Sequence, residues 1–210
     1  MTTASGWLDA SRPLHPGIAV WPGDRGLSID TDRNGRWTVS RFATTCHVGT
    51  HVDAPRHLDE NGWSVDEIPL ERLVGPAEVV RAVRGCETVS LAGLPPGWRP
   101  AAPRILVRTD TFGLDGKVED GGFAGLAPEF VRHLADLGVV TVGIDTPSVD
   151  ALDAADHAPA HVALLEAGMT WVEGLWLGGI AAGRYEMVAL PVALVGVEAA
   201  PVRVILRRIG

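Results

Sequence analysis

Cysteine is scarce in this sequence: Cys46 and Cys86 are the two present. Two cysteines build no disulfide framework, and they fit a reducing compartment. A basic stripe is missing too. Arg81, Arg84, Arg99, Arg104 and Arg108 are scattered among apolar residues, and the formal net charge is -8. A nucleic-acid partner would call for clustered cations, so none is expected. No apolar run approaches the roughly 20 residues that cross a bilayer. The longest, "MVALPVALVGV", is short and split by Pro191. The opening "MTTASGWLDASRPLHPG" has neither a basic n-region nor an apolar h-region, so a secretory leader is not expected. These absences together predict a soluble, cytoplasmic protein that engages neither membrane nor nucleic acid. Internal repeats, low-complexity tracts and domain linkers are also lacking.

What is present points to one α/β domain over residues 1–210. Hydrophobic residues make up 46% of the 210, enough for a substantial buried core. The stretch up to about residue 35 is rich in turn formers, "SRPLHPG" and "WPGDRG" among them. Strands are expected at "RWTVSRFAT" (36–44), running directly into the histidines of residues 47–57, and at "AEVVRAV" (77–83), "RILVRT" (104–109) and "VVTVGID" (139–145). Two more, "RYEMVALPVAL" and "PVRVILRRI", close the chain and are expected side by side across "VGVEAA". A helix is predicted over 127–138. Pro128 suits its first turn, Gly138 its C-terminal end, and Phe130, Val131, Leu134 and Leu137 follow helical spacing. A second helix is predicted over 158–168. Strands interleaved with a few helices indicate the α/β class with a mixed sheet.

The densest chemistry lies in "HVGTHVDAPRH", residues 47–57, which holds three of the chain's seven histidines and an aspartate. A helix cannot gather them, because Gly49 and Pro55 disfavour it and Asp53 and His57 would leave the face shared by His47 and His51. A straight strand would put all four on one side. At about 3.3 Å per residue, however, His47 and His51 would stand roughly 13 Å apart, too far for one ion. The segment must therefore bend near Gly49, as glycine permits. A turned segment can converge two imidazoles and a carboxylate on a cation, zinc first, with manganese or iron less suited.

"HVGTHVDAPRH" follows the pattern H-x-G-T-H-x-D-x-P-x-H, and by it the chain resembles the cyclase-like, metal-dependent amidohydrolases. The resemblance extends over "LHPGIAVWPGD" (14–24), "GIDTPSVD" (143–150) and "EMVALPVALVGVEAAPVRVIL" (186–206), and "WPGD" followed by "GIDTPSVD" narrows it to the bacterial kynurenine formamidase (arylformamidase) branch. The resemblance implies a swivelling β/β/α fold, a homodimer and two zinc ions per subunit, with manganese as the substitute. It implies that His47, His51 and Asp53 hold the first ion, that Asp53 bridges to the second, and that His161 and Glu173 complete the pair. His57 would be the proton donor and acceptor, and Trp21 would contact the substrate. The implied reaction is hydrolysis of N-formyl-L-kynurenine to L-kynurenine and formate, a step of tryptophan degradation, by a hydroxide that the zinc pair activates. Ala200 stands where serine would be expected and touches no implied ligand.

The residues alone do not join His161 and Glu173 to the histidine segment. A lone histidine in an apolar helix is more often a satisfied core residue. A buried glutamate must be paired or bound to a metal. Asp145 and Ser148 read equally as turn formers or as functional loop residues. His15, His133 and His157 are expected to be structural or solvated, Cys46 a small buried residue, and Trp7, Trp37, Trp63, Trp98, Trp171 and Trp176 mostly core, with Trp63 also a candidate pocket wall. Three other functions compete: opening of another amide such as isatin, a metal site that only stabilises the fold, and an aromatic-ligand binder without turnover.

Overall fold

The computed structural model describes residues 6–154 and 157–209. The chain's first five residues, where no leader was expected, lie outside that range. In chain order the strands are β1 (Trp7–Asp9), β2 (Ser28–Asn34), β3 (Trp37–Ala43), β4 (His51–Asp53), β5 (Val74–Arg81), β6 (Thr88–Val89), β7 (Arg104–Arg108), β8 (Gly125–Leu126), β9 (Thr141–Ile144), β10 (Thr170–Glu173), β11 (Gly183–Pro191) and β12 (Ala199–Arg208). The helices are α1 (Leu70–Leu73), α2 (Pro128–Asp136) and α3 (Pro159–Glu166).

One sheet of eight strands organises the molecule, in the order β1-β12-β11-β5-β7-β9-β10-β4. β12 also pairs with β4, Ala199 opposite Asp53 and Pro201 opposite His51, so the sheet curls round and closes on itself. β5, β7, β9 and β10 run parallel to one another, and parallel strands need crossover connections. α2 supplies the connection into β9, and α3 the one from β9 to β10. Both helices pack on the outside of the sheet, where Phe130, Val131, Leu134, Ala160 and Leu164 share one core with Trp171. Val52, Val172, Tyr185, Met187 and Leu206 fill the enclosed side. Burying each such side chain contributes about 1.5–3 kcal/mol. β11 shows why these residues make strand: Tyr185, Met187 and Ala189 alternate inward.

Both expected helices form. Pro128 and Pro159 stand in their first turns, and Gly138 and Gly168, with φ of +81° and +62°, follow their last. Two expectations fail. β3 does not run directly into the histidine segment; it pairs with β2 in a separate hairpin, and a turn lies between Ala43 and His47. The tryptophans are not mostly core either. Trp171 is fully buried, but Trp37 is 76% exposed on the hairpin and Trp63 is 48% exposed beside Arg72 rather than in a cavity wall.

Candidate metal centre

The turn at Gly49 has φ +62°, and it sends the chain from His47 back into β4. Gly174, with φ +64°, packs backbone to backbone against it, where a Cβ would strike the Gly49 carbonyl oxygen. That approach brings the histidine segment against the end of β10. Thr50 donates its hydroxyl to Gly174 O (2.7 Å) and accepts the N–H of Arg12 (2.9 Å), which ties the same three segments together.

β4 and β10 pair antiparallel with His51 opposite Glu173 and Trp171 opposite Asp53. His51 and Asp53 alternate to one face of β4, while Val52 turns to the enclosed core. α3 covers that face with His161. Five of the expected ligands therefore meet, and four of them, His51, Asp53, His161 and Glu173, are buried.

The two carboxylates straddle the imidazoles. Asp53 Oδ1 lies 3.1 Å from His47 Nδ1 and 3.5 Å from His51 Nε2, and its Oδ2 lies 3.8 Å from His161 Nε2. Glu173 turns Oε2 to His51 Nε2 (3.2 Å) and Oε1 to His161 Nε2 (3.3 Å). Donor atoms of His51, Asp53 and Glu173 lie within 4.8 Å of one another, and so do those of His47, Asp53 and His57. His51 Nε2 and Asp53 Oδ1 are buried without a hydrogen-bond partner. A buried polar atom left unpaired costs about 1–3 kcal/mol. A nitrogen-and-carboxylate donor set with orphaned atoms at its centre fits a divalent cation such as zinc or manganese.

Electrostatics point the same way. Burial opposes ionisation of Asp53, yet His51, His47 and His161 outweigh it; burial and the Asp53 charge oppose ionisation of Glu173, yet His161 and His51 outweigh them, and both carboxylates are held well below the ordinary range. Burial likewise opposes protonation of His47, but Asp53, Glu173 and Glu198 outweigh it and raise its pKa to about 9. The cluster thus demands positive charge, which protons or a metal can supply.

Residues outside the expected set hold these side chains in place. Asp150, the last residue of "GIDTPSVD", accepts the N–H groups of Ala160 (2.8 Å) and His161 (3.2 Å) at the start of α3, and its Oδ2 lies 2.6 Å from His161 Nδ1. Trp171 donates its indole N–H to Asp53 Oδ2 (2.9 Å), and Val149 donates its N–H to Glu173 Oε1 (2.8 Å). Glu198 lies 3.5 Å from His47 Nε2. None of these shows in a periodicity; the one sequence signal was the acidic end of "GIDTPSVD". Asp145 in that segment has another task, accepting N–H groups from Thr109 and Asp110. Ser148 accepts the N–H of Asp150.

The cluster opens into a cavity of about 290 Å³. His47, His51, His57, His161 and Glu173 line its floor, with Leu58, Phe112 and Trp21 among its apolar walls. Trp21 packs edge-on to Phe123, centroids 6.4 Å apart. His57, solvent-exposed as a residue, sets its ring 4.4 Å from that of His47 and 5.5 Å from that of His161. Cys46 does not belong to the set. Burial, then Glu198 and Asp53, raise the pKa of its thiol, which makes it a poor ligand or nucleophile.

Residues 8–151 match the family model described as Cyclase. The chain belongs to the Cyclase family. Among relatives of this Cyclase-family chain, the kynurenine formamidase of Salinibacter ruber is 38% identical over 95% of this chain and 96% of its own length. That of Paracidovorax citrulli is 38% identical over 99% of both. A predicted metal-dependent hydrolase from Bacillus stearothermophilus superposes with a TM-score of 0.74 at 32% identity, covering 95% of this chain and 97% of its own. Isatin hydrolase A from Labrenzia aggregata, solved with benzyl benzoate, superposes with a TM-score of 0.74 at 26% identity, covering 95% and 92%.

Proposed function

We propose that this chain is a metal-dependent amidohydrolase that converts N-formyl-L-kynurenine and water to L-kynurenine and formate. The observation that carries the reading is the pair of carboxylates straddling buried imidazoles on the floor of an aromatic-walled cavity. The full-length likeness to kynurenine formamidases supports the substrate.

In this reading His47, His51, Asp53, His161 and Glu173 would hold two divalent ions, with zinc preferred over manganese. A divalent ion there supplies Lewis acidity and brings the pKa of water down from 15.7 toward about 7. The protein's own groups do the rest. Trp21 and Phe112 give the aryl ring an apolar wall and keep bulk water away. His57, at the cavity floor, passes a proton to the departing arylamine nitrogen, without which that nitrogen leaves poorly. Free Cys46 and Cys86 suit the cytoplasm. A homodimer belongs to the reading as well, supported by the exposed β2–β3 hairpin.

Elemental analysis of the purified protein, paired with formate release from N-formyl-L-kynurenine, tests the proposal. Bound divalent metal and stoichiometric formate are expected, both lost on chelation and regained with zinc. Isatin hydrolysis in the same assay is the second reading, favoured by the likeness to isatin hydrolase A. Ring opening of isatin without formate release would make that the function.

A further inference from the structure

Outside the metal cluster and Asp150, which His161 occupies, the cavity wall carries two ionisable side chains, Arg12 and Asp24. Arg12 is inward and committed. Its guanidinium donates to the carbonyl oxygens of Gly174, Gly113, Phe112 and Asp145 and lies over the rings of Phe112 and Trp176. It therefore builds the wall, its charge favoured by nearby Asp145 and without an ion pair among the described residues.

Asp24 is the opposite case. The segment "WPGD" closes a tight turn, with the Asp24 N–H bonded to Trp21 O at 2.9 Å and Gly23 at φ +92°. Proline followed by a positive-φ glycine is the type II pattern, which brings the first and fourth residues within about 7 Å at Cα. Trp21 and Asp24 thus both line the cavity as neighbours, Asp24 as a solvent-exposed residue. Among the described residues the Asp24 carboxylate has no hydrogen-bond or ion-pair partner, so the turn does not need it. That leaves its carboxylate beside the aromatic wall free to pair with a cationic group of a ligand.

We propose that Asp24 is the specificity-determining group that takes the α-ammonium of the substrate's amino-acid arm. The inference rests on the function proposed above. With the aryl ring against Trp21, the arm extends a few bonds beyond the ring, within reach of the next side chain of the turn. The arm carries an ammonium, and outside the metal cluster Asp24 is the cavity carboxylate without a partner among the described residues. A neutral, compact substrate such as isatin gains nothing from Asp24, so the residue separates the two chemistries that the family fold supports.

The test compares N-formyl-L-kynurenine with N-formylaniline, which has the formamide but no amino-acid arm, in the metal-loaded wild type, Asp24→Asn and Asp24→Glu. In Asp24→Asn the kcat/KM ratio of N-formyl-L-kynurenine to N-formylaniline should fall about tenfold, through KM rather than kcat, as loss of a charge-assisted bond predicts. Asp24→Glu should recover part of that ratio. An unchanged ratio in Asp24→Asn overturns the assignment even when both substrates turn over, and so does a rise in KM shared equally by both. Release of formate from N-formylaniline alone by the wild type overturns both this assignment and the N-formyl-L-kynurenine reading, leaving a formamide hydrolase of another substrate. If the wild type releases formate from neither, the function proposed above has failed, and this assignment with it.

Discussion

An imidazole presents a fixed nitrogen to a cation only when its other nitrogen is held. Asp150 holds His161 in this way, the Gly49 carbonyl lies 3.1 Å from His51 Nδ1, and Glu198 stands against His47. His57 differs. Among the described residues its ring has no hydrogen-bond or ion-pair partner, so it is free to turn between the cluster and the cavity. Partial desolvation, helped by the His47 and His161 rings, also outweighs Asp53 and holds its pKa below the ordinary imidazole value. Three anchored imidazoles and one loose one divide naturally into ligands and a proton carrier. His57→Ala should therefore lower kcat by about 100-fold or more, the usual weight of general acid–base catalysis, while bound metal stays near the wild-type amount. Metal analysis beside turnover checks it. Metal lost in proportion to activity would make His57 a ligand, a role its distance to His47 and Asp53 also allows.

Arg81 and Arg108 are direct partners in the parallel pair β5–β7, and like charges placed opposite repel. Asp110 resolves the conflict, its Oδ2 accepting from Arg81 (2.7 Å) and its Oδ1 from Arg108 (2.6 Å). The residue sits at φ +58°, a conformation that asparagine tolerates, so Asp110→Asn removes the charge and keeps the backbone. Burial would raise the pKa of Asp110, but Arg108 and Arg81 outweigh it and the pKa is lowered. Such a group stabilises the fold above its unfolded pKa of about 3.9 and loses that contribution as pH falls through the folded value. Because solvent screens this exposed cluster, Asp110→Asn should cost at most about 1 kcal/mol and melt no more than about 2–4 °C below wild type at pH 7, and the gap should narrow at pH 3. Melting curves at pH 7, 5 and 3 settle it; a gap independent of pH would show that charge is not the cause. This carboxylate had no signature in the sequence, and the reason is general to the elements here. α2, β11 and β12 were legible because Leu134 or Met187 repeats a period along one buried face. β4 has three residues, too few for any period, so the bend at Gly49 was legible but the strand that lines up His51 and Asp53 was not. Trp171 acts on Asp53 across a pairing that only the folded sheet creates, and Asp150 acts on His161 from the loop that leads into α3.

At the scale of the molecule, the hairpin of β2 and β3 is the unsolved surface. All its strand residues are exposed, and it carries Trp37 at 76%, Val39 at 62% and Phe42 at 69% exposure. An isolated two-stranded hairpin is at best marginally stable in water. Large exposed apolar clusters mark interaction surfaces, and this one leaves the chain between Asp24 and His47, both on the cavity wall. A second copy of the chain is the occupant that the proposed homodimer supplies. Trp37 and Val39 share one face of β3, so Trp37→Ser with Val39→Ser strips that face without touching the closed sheet. Truncating a central tryptophan costs about 2 kcal/mol or more, at least about a 30-fold loss in affinity. Light scattering over a dilution series should find wild type at twice the chain mass and the double variant at the single-chain mass under the same conditions. Because both residues face solvent within one subunit, the monomeric variant should keep its metal. A wild type that is already monomeric, or a variant that stays dimeric, would move the hairpin to another role and leave the dimer without its support.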